Sequence, residues 1–241
     1  VASTTPARPR ILEPEMLSIT GGEFQMGSPE NEPKRYDNER QHQVRVEDFR
    51  LSKTEIRVKE FQQFVTETGY LTEAEEGNGC FLWSDGKMEK KANSGWRAPG
   101  FEVQDEYPLV CVTIQDALAY TKWLSKKTGK NFRLPTEAEW EYACRGGRVG
   151  EAYCGSTNPT LVSWYGDNSD SSIHPVAQKA ANAFGLHDMS GNVWEWTCSE
   201  YDRNYGDKET QCVDLGDEQI KMTVRSGSWS SFSGKVRAAF R

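Results

Sequence analysis

The stretch Gly185-Leu186-His187-Asp188-Met189-Ser190-Gly191-Asn192-Val193-Trp194-Glu195-Trp196 combines aromatic, acidic and turn-forming residues within a short segment. Side chains alternate between the two faces of an extended strand, so Trp194 and Trp196 would share one face. Large aromatic side chains bury much apolar area. We therefore expect this face to pack into a core.

The same stretch also carries side-chain oxygens near a tight bend. Asp188, Asn192 and Glu195 offer these oxygens, and Gly191 allows the chain to bend sharply between them. Hard cations bind such clusters of carboxylates and backbone carbonyls. The stretch therefore predicts a core strand, a calcium site or both. The alternative is an Asx turn closed by Asp188 or Asn192, with Glu195 in solvent.

The composition limits the class of protein. The chain has 241 residues, of which 36% are hydrophobic, so it can bury a core as one large domain or two small ones. Its net charge of −7 argues against nucleic acid as the main partner, because phosphate binding needs clustered Lys and Arg. The sequence shows no apolar run long enough for a transmembrane segment.

The first residues read VASTTPARPR and resemble a linker more than a folded element. We predict a flexible tether over residues 1–13 and a single domain over residues 14–241. Such a tether often follows a removed export signal or a lipid-anchored cysteine. The expected location is therefore outside the cytoplasm, on the bacterial cell surface or in the periplasm, with a lipid anchor upstream as one option.

The six cysteines permit disulfide pairing but do not indicate the pairs. They lie at Cys80, Cys111, Cys144, Cys154, Cys198 and Cys212. Because the sequence contains no CxxC motif, a zinc ribbon or a thioredoxin-type redox site is not expected.

Local patterns predict short strands near the start of the chain. Met16–Ile19 and Glu23–Met26 flank Gly21-Gly22, a pattern typical of a β-hairpin. Gln43–Leu51 alternates in polarity and predicts a further strand.

Three helices are predicted from apolar spacing and capping signals. The first runs from about Val58 to Thr68. Thr113 with Asp116 and Thr136 with Glu139 form capping boxes that begin the other two. Few helices among short strands and long loops indicate an α+β domain, in which one small antiparallel sheet supports irregular segments.

Four segments together resemble the sulfatase-modifying-factor family, the formylglycine-generating-enzyme-like domains. They are Gly21–Gly27, Arg133–Glu141, Gly185–Trp196 and Arg225–Trp229. Their order and spacing cover almost the whole chain after the tether. The resemblance implies a variant of the C-type lectin fold, α+β with a small antiparallel sheet, few helices, much irregular structure and bound calcium.

The resemblance also implies a ligand set for calcium. In the family, one Ca²⁺ is held by the segment that matches Asp188, Gly191, Val193 and Glu195. The two acids would supply side-chain oxygens, and the other two residues would supply backbone carbonyls. The family's second calcium site would fall near residues 161–170, where this chain is shortened and has an apolar residue at the first ligand position, so that site is not expected.

The sequence departs from the family where the oxidases have their catalytic groups. Those enzymes carry two cysteines shortly after the aromatic residue of the motif that matches 225–229, and their thiolates bind copper(I), a soft ion. Residues 230–236 read SSFSGKV and contain no cysteine. Unless Cys212 approaches from upstream, we do not expect this chain to make formylglycine. Ser226 also replaces the usual second glycine of the motif.

The first functional hypothesis is a non-catalytic, receptor-type domain that binds an unknown protein or small molecule. The C-terminal segment mixes small polar residues with aromatic ones, as adaptable binding surfaces do. Some family members are variable proteins of diversity-generating retroelements and vary in this segment. The simpler interpretation is ordinary loop chemistry. The candidate ligand-binding residues are Ser226, Ser228, Trp229, Ser230, Ser231, Phe232, Ser233 and Lys235.

The alternative hypothesis is an oxidoreductase that uses a site without cysteine. Some bacterial relatives that lack the cysteine pair act in natural-product or siderophore maturation. Candidate acid–base groups are Glu195, Asp188 and His187, although calcium would occupy two of them. No catalytic residue is assigned. A third hypothesis is a structural or adaptor domain whose aromatic residues serve only packing.

Overall fold

The computed structural model describes residues 10–84, 87–214 and 220–241. A long antiparallel ribbon begins the fold. Its register runs from the pair Met16 and Ser52 to the pair Met26 and His42, with one interruption. The first strand pairs with the fourth, and the second pairs with the third. These strands are β1 (Met16–Ile19), β2 (Gly22–Met26), β3 (His42–Val46) and β4 (Phe49–Ser52).

The prediction of a β-hairpin at Gly21-Gly22 is wrong. β1 and β2 follow one another along the same side of the ribbon instead of pairing. Gly21 lies opposite the other side, where a Cβ would come within 2.4 Å of the Val46 carbonyl oxygen. The glycine therefore permits a close approach between two chains rather than a reversal of direction. The predicted strand Gln43–Leu51 is divided into β3 and β4 at the same interruption.

The three predicted helices are confirmed at their predicted starts. They are α1 (Val58–Thr68), α2 (Ile114–Thr128) and α3 (Glu137–Arg145), and a single turn, α4 (Pro159–Val162), follows them. Thr113 and Thr136 cap α2 and α3 through reciprocal capping boxes. The apolar faces of α1 and α2 meet in an aromatic cluster that includes Phe61, Phe64 and Tyr120.

The remaining strands form separate two-stranded pieces instead of one small sheet. They are β5 (Cys80–Ser84), β6 (Lys87–Lys91), β7 (Ser163–Trp164), β8 (Ser190–Gly191), β9 (Glu195–Glu200) and β10 (Met222–Arg225). β5 pairs with β6, β7 pairs in parallel with β8, and β9 pairs with β10. The α+β class is confirmed, but sheet formation is more fragmented than the sequence predicts.

A buried ionic cluster joins β10 to α3. The guanidinium group of Arg225 pairs with Glu137 at 3.2 Å and with Glu141 at 2.5 Å, and none of the three side chains is exposed. Because buried charges must be paired, these contacts fix the end of β10 on the helix. They therefore determine where the segment after Arg225 begins.

All six cysteines lie in the described ranges and form three disulfides. The pairs are Cys80–Cys111, Cys144–Cys154 and Cys198–Cys212. Each helix in the described ranges is too short or too polar to serve as a transmembrane span.

Part of the predicted tether contacts the domain. The Leu12 amide donates to Oε1 of Gln63 at 2.7 Å, and Glu13 pairs with Lys130. Residues 10–13 therefore lie against the folded domain. Residues 1–9 are outside the described residues, so a tether over 1–9 stays a prediction.

Candidate functional site

Left-handed backbone conformations bend the chain around β8 and just before β9. Asp188, Gly191 and Asn192 have φ angles of 58°, 82° and 55°. A Cβ on Gly191 would lie 2.2 Å from the Trp164 carbonyl oxygen, so only glycine fits there. The chain therefore turns tightly here, and residues 188–195, which include β8 and the first residue of β9, are called the acidic loop.

Asp188 presents a buried carboxylate oxygen without a partner. The residue is only 2% exposed. Its Oδ2 accepts a hydrogen bond from the Ala177 amide at 2.6 Å, whereas Oδ1 has no hydrogen-bond partner among the described residues. Burial raises the pKa of this carboxyl group above its usual value. A buried acceptor without a donor is costly unless a ligand satisfies it.

Glu195 and Glu55 are two further buried carboxyl groups, and the charge of Asp188 makes both of them harder to ionise. Glu195 accepts a hydrogen bond from Nε1 of Trp140 at 2.9 Å, and burial raises its pKa to about 7, with a contribution from the charge of Asp188. Burial, followed by the charges of Asp188 and Glu195, raises the pKa of Glu55 well above its usual value. The three acids therefore form a buried acidic site.

Sequence reasoning missed Glu55. Its Oε2 accepts from Nδ2 of Asn192 at 2.9 Å, and its Oε1 accepts from the Val193 amide at 3.2 Å. Glu55 lies 137 positions before Asn192 along the chain. No spacing or local motif indicates this contact, because only the tertiary fold brings the segment before α1 to the acidic loop.

The donor set fits a hard cation. Asp188 and Glu195 offer carboxylates, and Gly191 and Val193 offer backbone carbonyls between them, which is the oxygen-rich mixture that Ca²⁺ prefers. Within the described ranges, no three His, Cys, Asp or Glu side chains are grouped as metal ligands. Only two of the four predicted ligands, Asp188 and Glu195, are side chains, and Glu55 hydrogen bonds to the loop. Calcium at this loop stays a prediction.

We expect Ca²⁺ to stabilise the wild-type protein against urea by about 2.7 kcal/mol at a hundredfold excess over its Kd. Asp188→Asn should abolish this increase, because the amide keeps the shape of the side chain but removes the charge. Asp207→Asn is the matched control, since Asp207 is exposed and also has a positive φ of 64°. Equal Ca²⁺ stabilisation of the wild type and Asp188→Asn would contradict the site.

The structure buries half of the predicted ligand-binding residues. Ser226 has a φ of 78° and donates its hydroxyl to the Gly191 carbonyl at 2.9 Å, so it braces the acidic loop. Ser233 accepts from Nζ of Lys34 at 2.5 Å. Ser228 and Ser231 are also buried, and their hydroxyls lie 3.2 Å apart.

The other half of the predicted set is accessible. Trp229, Ser230 and Lys235 are partly exposed, and Phe232 is 50% exposed. Nζ of Lys235 lies 5.5 Å from the Phe232 ring centroid. These side chains are therefore the members of the predicted set that a ligand can reach directly.

A cleft of about 1830 Å³ connects the C-terminal segment to the acidic loop. Six of the eight predicted ligand residues line it, namely Ser228, Trp229, Ser230, Ser231, Phe232 and Lys235. Ser226 and Ser233 are absent from the lining. Glu55 and Glu195 line the same cleft.

Sequence reasoning missed several aromatic residues of the cleft. Phe81 and Trp194 line it and are 62% and 40% exposed. The expectation that Trp194 packs into a core is therefore wrong, because the strand in which it would share a face with Trp196 begins only at Glu195. Trp196 is partly buried and donates from Nε1 to the Val112 carbonyl at 3.2 Å.

The cysteines do not supply a copper site. Cys212 pairs with Cys198, and the other four cysteines pair with one another, so none is free. The segment 230–236 offers hydroxyls, which are hard ligands and do not replace two thiolates for copper(I). The residues present therefore do not fit the copper centre of the family's oxidases.

Comparisons with known proteins identify the family of this chain. The sequence matches the sulfatase-modifying factor enzyme 1-like domain over residues 1–241. It is 33% identical over 221 residues to the inactive C-alpha-formylglycine-generating enzyme 2 of Bos taurus, covering 77% of this chain and 71% of that protein.

Solved structures show the same fold. PvdO from Pseudomonas aeruginosa has a TM-score of 0.74 at 27% identity, covering 94% of this chain and 86% of that one. Treponema denticola variable protein 1 has a TM-score of 0.66 at 22% identity, covering 93% and 87%. The C-type-lectin-like, formylglycine-generating-enzyme-type fold implied by the sequence is thus confirmed, and the chain belongs to the sulfatase-modifying factor enzyme 1-like family.

Proposed function

We propose that this protein is a non-catalytic ligand-binding domain on a formylglycine-generating-enzyme scaffold. The main support for this proposal is the cleft, which is lined by the segment after Arg225. This segment has hydroxyl and aromatic groups where the family's oxidases have thiolates. A relative that is named inactive supports this proposal. The ligand is an unknown protein or small molecule, and nucleic acid is not a proposed partner because of the net charge of −7.

The side chains that line the cleft are suited to binding a ligand. Phe81, Trp194 and Phe232 are the exposed aromatic residues among the large hydrophobic side chains of the described ranges, and all three line the cleft. Exposed apolar groups that converge on one concave surface indicate an interaction site. Ser230 and Lys235 add polar groups that can orient a ligand.

The exposure of each side chain indicates which residues of the C-terminal segment could vary if this protein resembles the variable proteins. If the C-terminal segment varies between strains, the variation belongs at Trp229, Ser230, Phe232 and Lys235, which are accessible. The buried serines of the segment instead form hydrogen bonds within the domain, such as the one from Ser226 to the Gly191 carbonyl.

We also propose calcium at the acidic loop and export to the bacterial cell surface or periplasm. Three disulfides support export, because structural disulfides persist in oxidising compartments. A lipid anchor upstream remains part of this proposal. Fractionation of the source cells, with an antibody against the domain, would test the location.

The binding test is a thermal-shift screen of small molecules and peptides in the presence of Ca²⁺. We expect binders to raise the Tm of the wild type and to lose at least about tenfold in affinity, or about 1.4 kcal/mol, in the variant Trp229→Ala/Phe232→Ala. Leu71→Ala is the control, because Leu71 is 57% exposed but does not line the cleft.

Two results would overturn the proposal. One is conversion of a cysteine peptide to an aldehyde by the protein loaded with copper(I). The other is a set of binders whose affinities the double variant leaves unchanged, since those binders would occupy another surface.

A further inference from the structure

Asn192 lies where four segments of the chain meet, and it is fully buried. Its side chain donates from Nδ2 to Glu55 at 2.9 Å and to the His174 carbonyl at 3.2 Å, and its Oδ1 accepts from the His174 amide at 3.0 Å. Its backbone amide donates to the Trp164 carbonyl at 2.8 Å. These hydrogen bonds hold the residue in a left-handed conformation that asparagine tolerates.

The backbone carbonyl of Asn192 connects the acidic loop to the cleft. It accepts a hydrogen bond from the Trp229 amide at 2.8 Å, and Trp229 lines the cleft. Asn192 stands between Gly191 and Val193, whose carbonyls are the predicted calcium ligands. A shift of these carbonyls toward a cation would therefore act on the backbone of Asn192, which holds the Trp229 amide.

Glu55 reinforces the same connection from the other side. One carboxylate holds both the side chain of Asn192 and the amide of Val193, and Glu55 itself lines the cleft. A cation at the loop would offset repulsion among Glu55, Asp188 and Glu195 and so favour one loop position. Without a cation, that repulsion favours a looser arrangement.

We propose that Asn192 and Glu55 are positioning residues that couple cation binding at the acidic loop to the conformation of the cleft at Trp229. The inference rests on the proposed calcium site and on the proposed cleft. Thermodynamic linkage makes the coupling reciprocal, so a ligand that contacts Trp229 raises the affinity for Ca²⁺ by the factor by which Ca²⁺ raises the affinity for that ligand.

The test uses Asn192→Gly, which keeps the left-handed backbone accessible but removes the amide side chain. Hydrogen exchange of the Trp229 amide is followed by NMR with and without Ca²⁺, and Ca²⁺ affinity is measured by calorimetry. We expect Ca²⁺ to slow this exchange at least about 5-fold in the wild type and less than about 2-fold in the variant, although the variant still binds Ca²⁺.

Asn93→Gly is the matched control, because Asn93 is exposed, has a φ of 60° and does not line the cleft. It should respond to Ca²⁺ as the wild type does. If Asn192→Gly does not fold, Glu55→Gln provides the second variant, since its NH2 group must face either Nδ2 of Asn192 or the Val193 amide, which are both donors, and should also remove the response.

A Trp229 amide whose exchange does not change with Ca²⁺ in the wild type, or that responds equally in the wild type and in Asn192→Gly, would overturn the coupling. Failure of the wild type to bind Ca²⁺ would overturn it together with the calcium site, while the cleft proposal would stand on its own screen. A Ca²⁺ response at Trp229, together with a screen that finds no ligand for the cleft, would support the coupling and count against the binding function alone.

Discussion

Replacing Arg225 with methionine is expected to lower the free energy of unfolding by about 3–5 kcal/mol. The substitution leaves Glu137 and Glu141 buried without the cation that joins them. Arg145 still pairs with Glu141, and Arg241 with Glu137, but each of these ion pairs involves only one of the two carboxylates. Urea denaturation followed by far-UV circular dichroism measures the loss.

The control for this prediction is Arg133→Met. Arg133 pairs with Glu139 at 2.6 Å, but its side chain is 46% exposed, so water screens the pair. We expect Arg133→Met to cost less than about 1 kcal/mol. Equal losses in the two methionine variants would show that burial of the ionic cluster does not matter to stability.

Trp140→Ala is expected to destabilise the protein by about 3–5 kcal/mol. Trp140 is fully buried in the core cluster of Ile19, Ala143 and Leu186. The truncation leaves a large cavity and also removes the donor to Glu195 at 2.9 Å. The affinity for Ca²⁺ should therefore change along with stability, because a predicted ligand loses its orientation. Chemical denaturation and calorimetry measure the two effects.

Trp194→Ala is the matched control, because it makes the same substitution at an exposed tryptophan on the acidic loop. We expect a loss of less than about 1 kcal/mol, as for a surface substitution away from buried contacts. If Trp194→Ala destabilised the protein as strongly as Trp140→Ala, the core would have to include the cleft face of the loop.

The helices were predictable because their signals are local. Capping boxes at Thr113 and Thr136 satisfy amide groups within a few residues of each helix start, whatever the rest of the chain does. The same holds for the apolar stripe of α1.

Strand pairing was not predictable to the same degree. The pattern around Gly21-Gly22 resembles a turn, yet the glycine is needed because the backbone near Val46 lies against it. Glycine permits both arrangements, and the sequence nearby does not distinguish them. Only the pairing of β2 with β3 decides between them.

The sequence by itself determined the family, the α+β class, the helix starts and the absence of a thiolate pair after Trp229. Tertiary structure decided that Glu55 joins Asn192, that Trp194 is exposed in the cleft, and that Ser226 supports the acidic loop. The physical reason is the separation along the chain between the residues that interact. Capping and motif order depend on neighbours along the chain, whereas burial and carboxylate clustering depend on segments that meet only after folding.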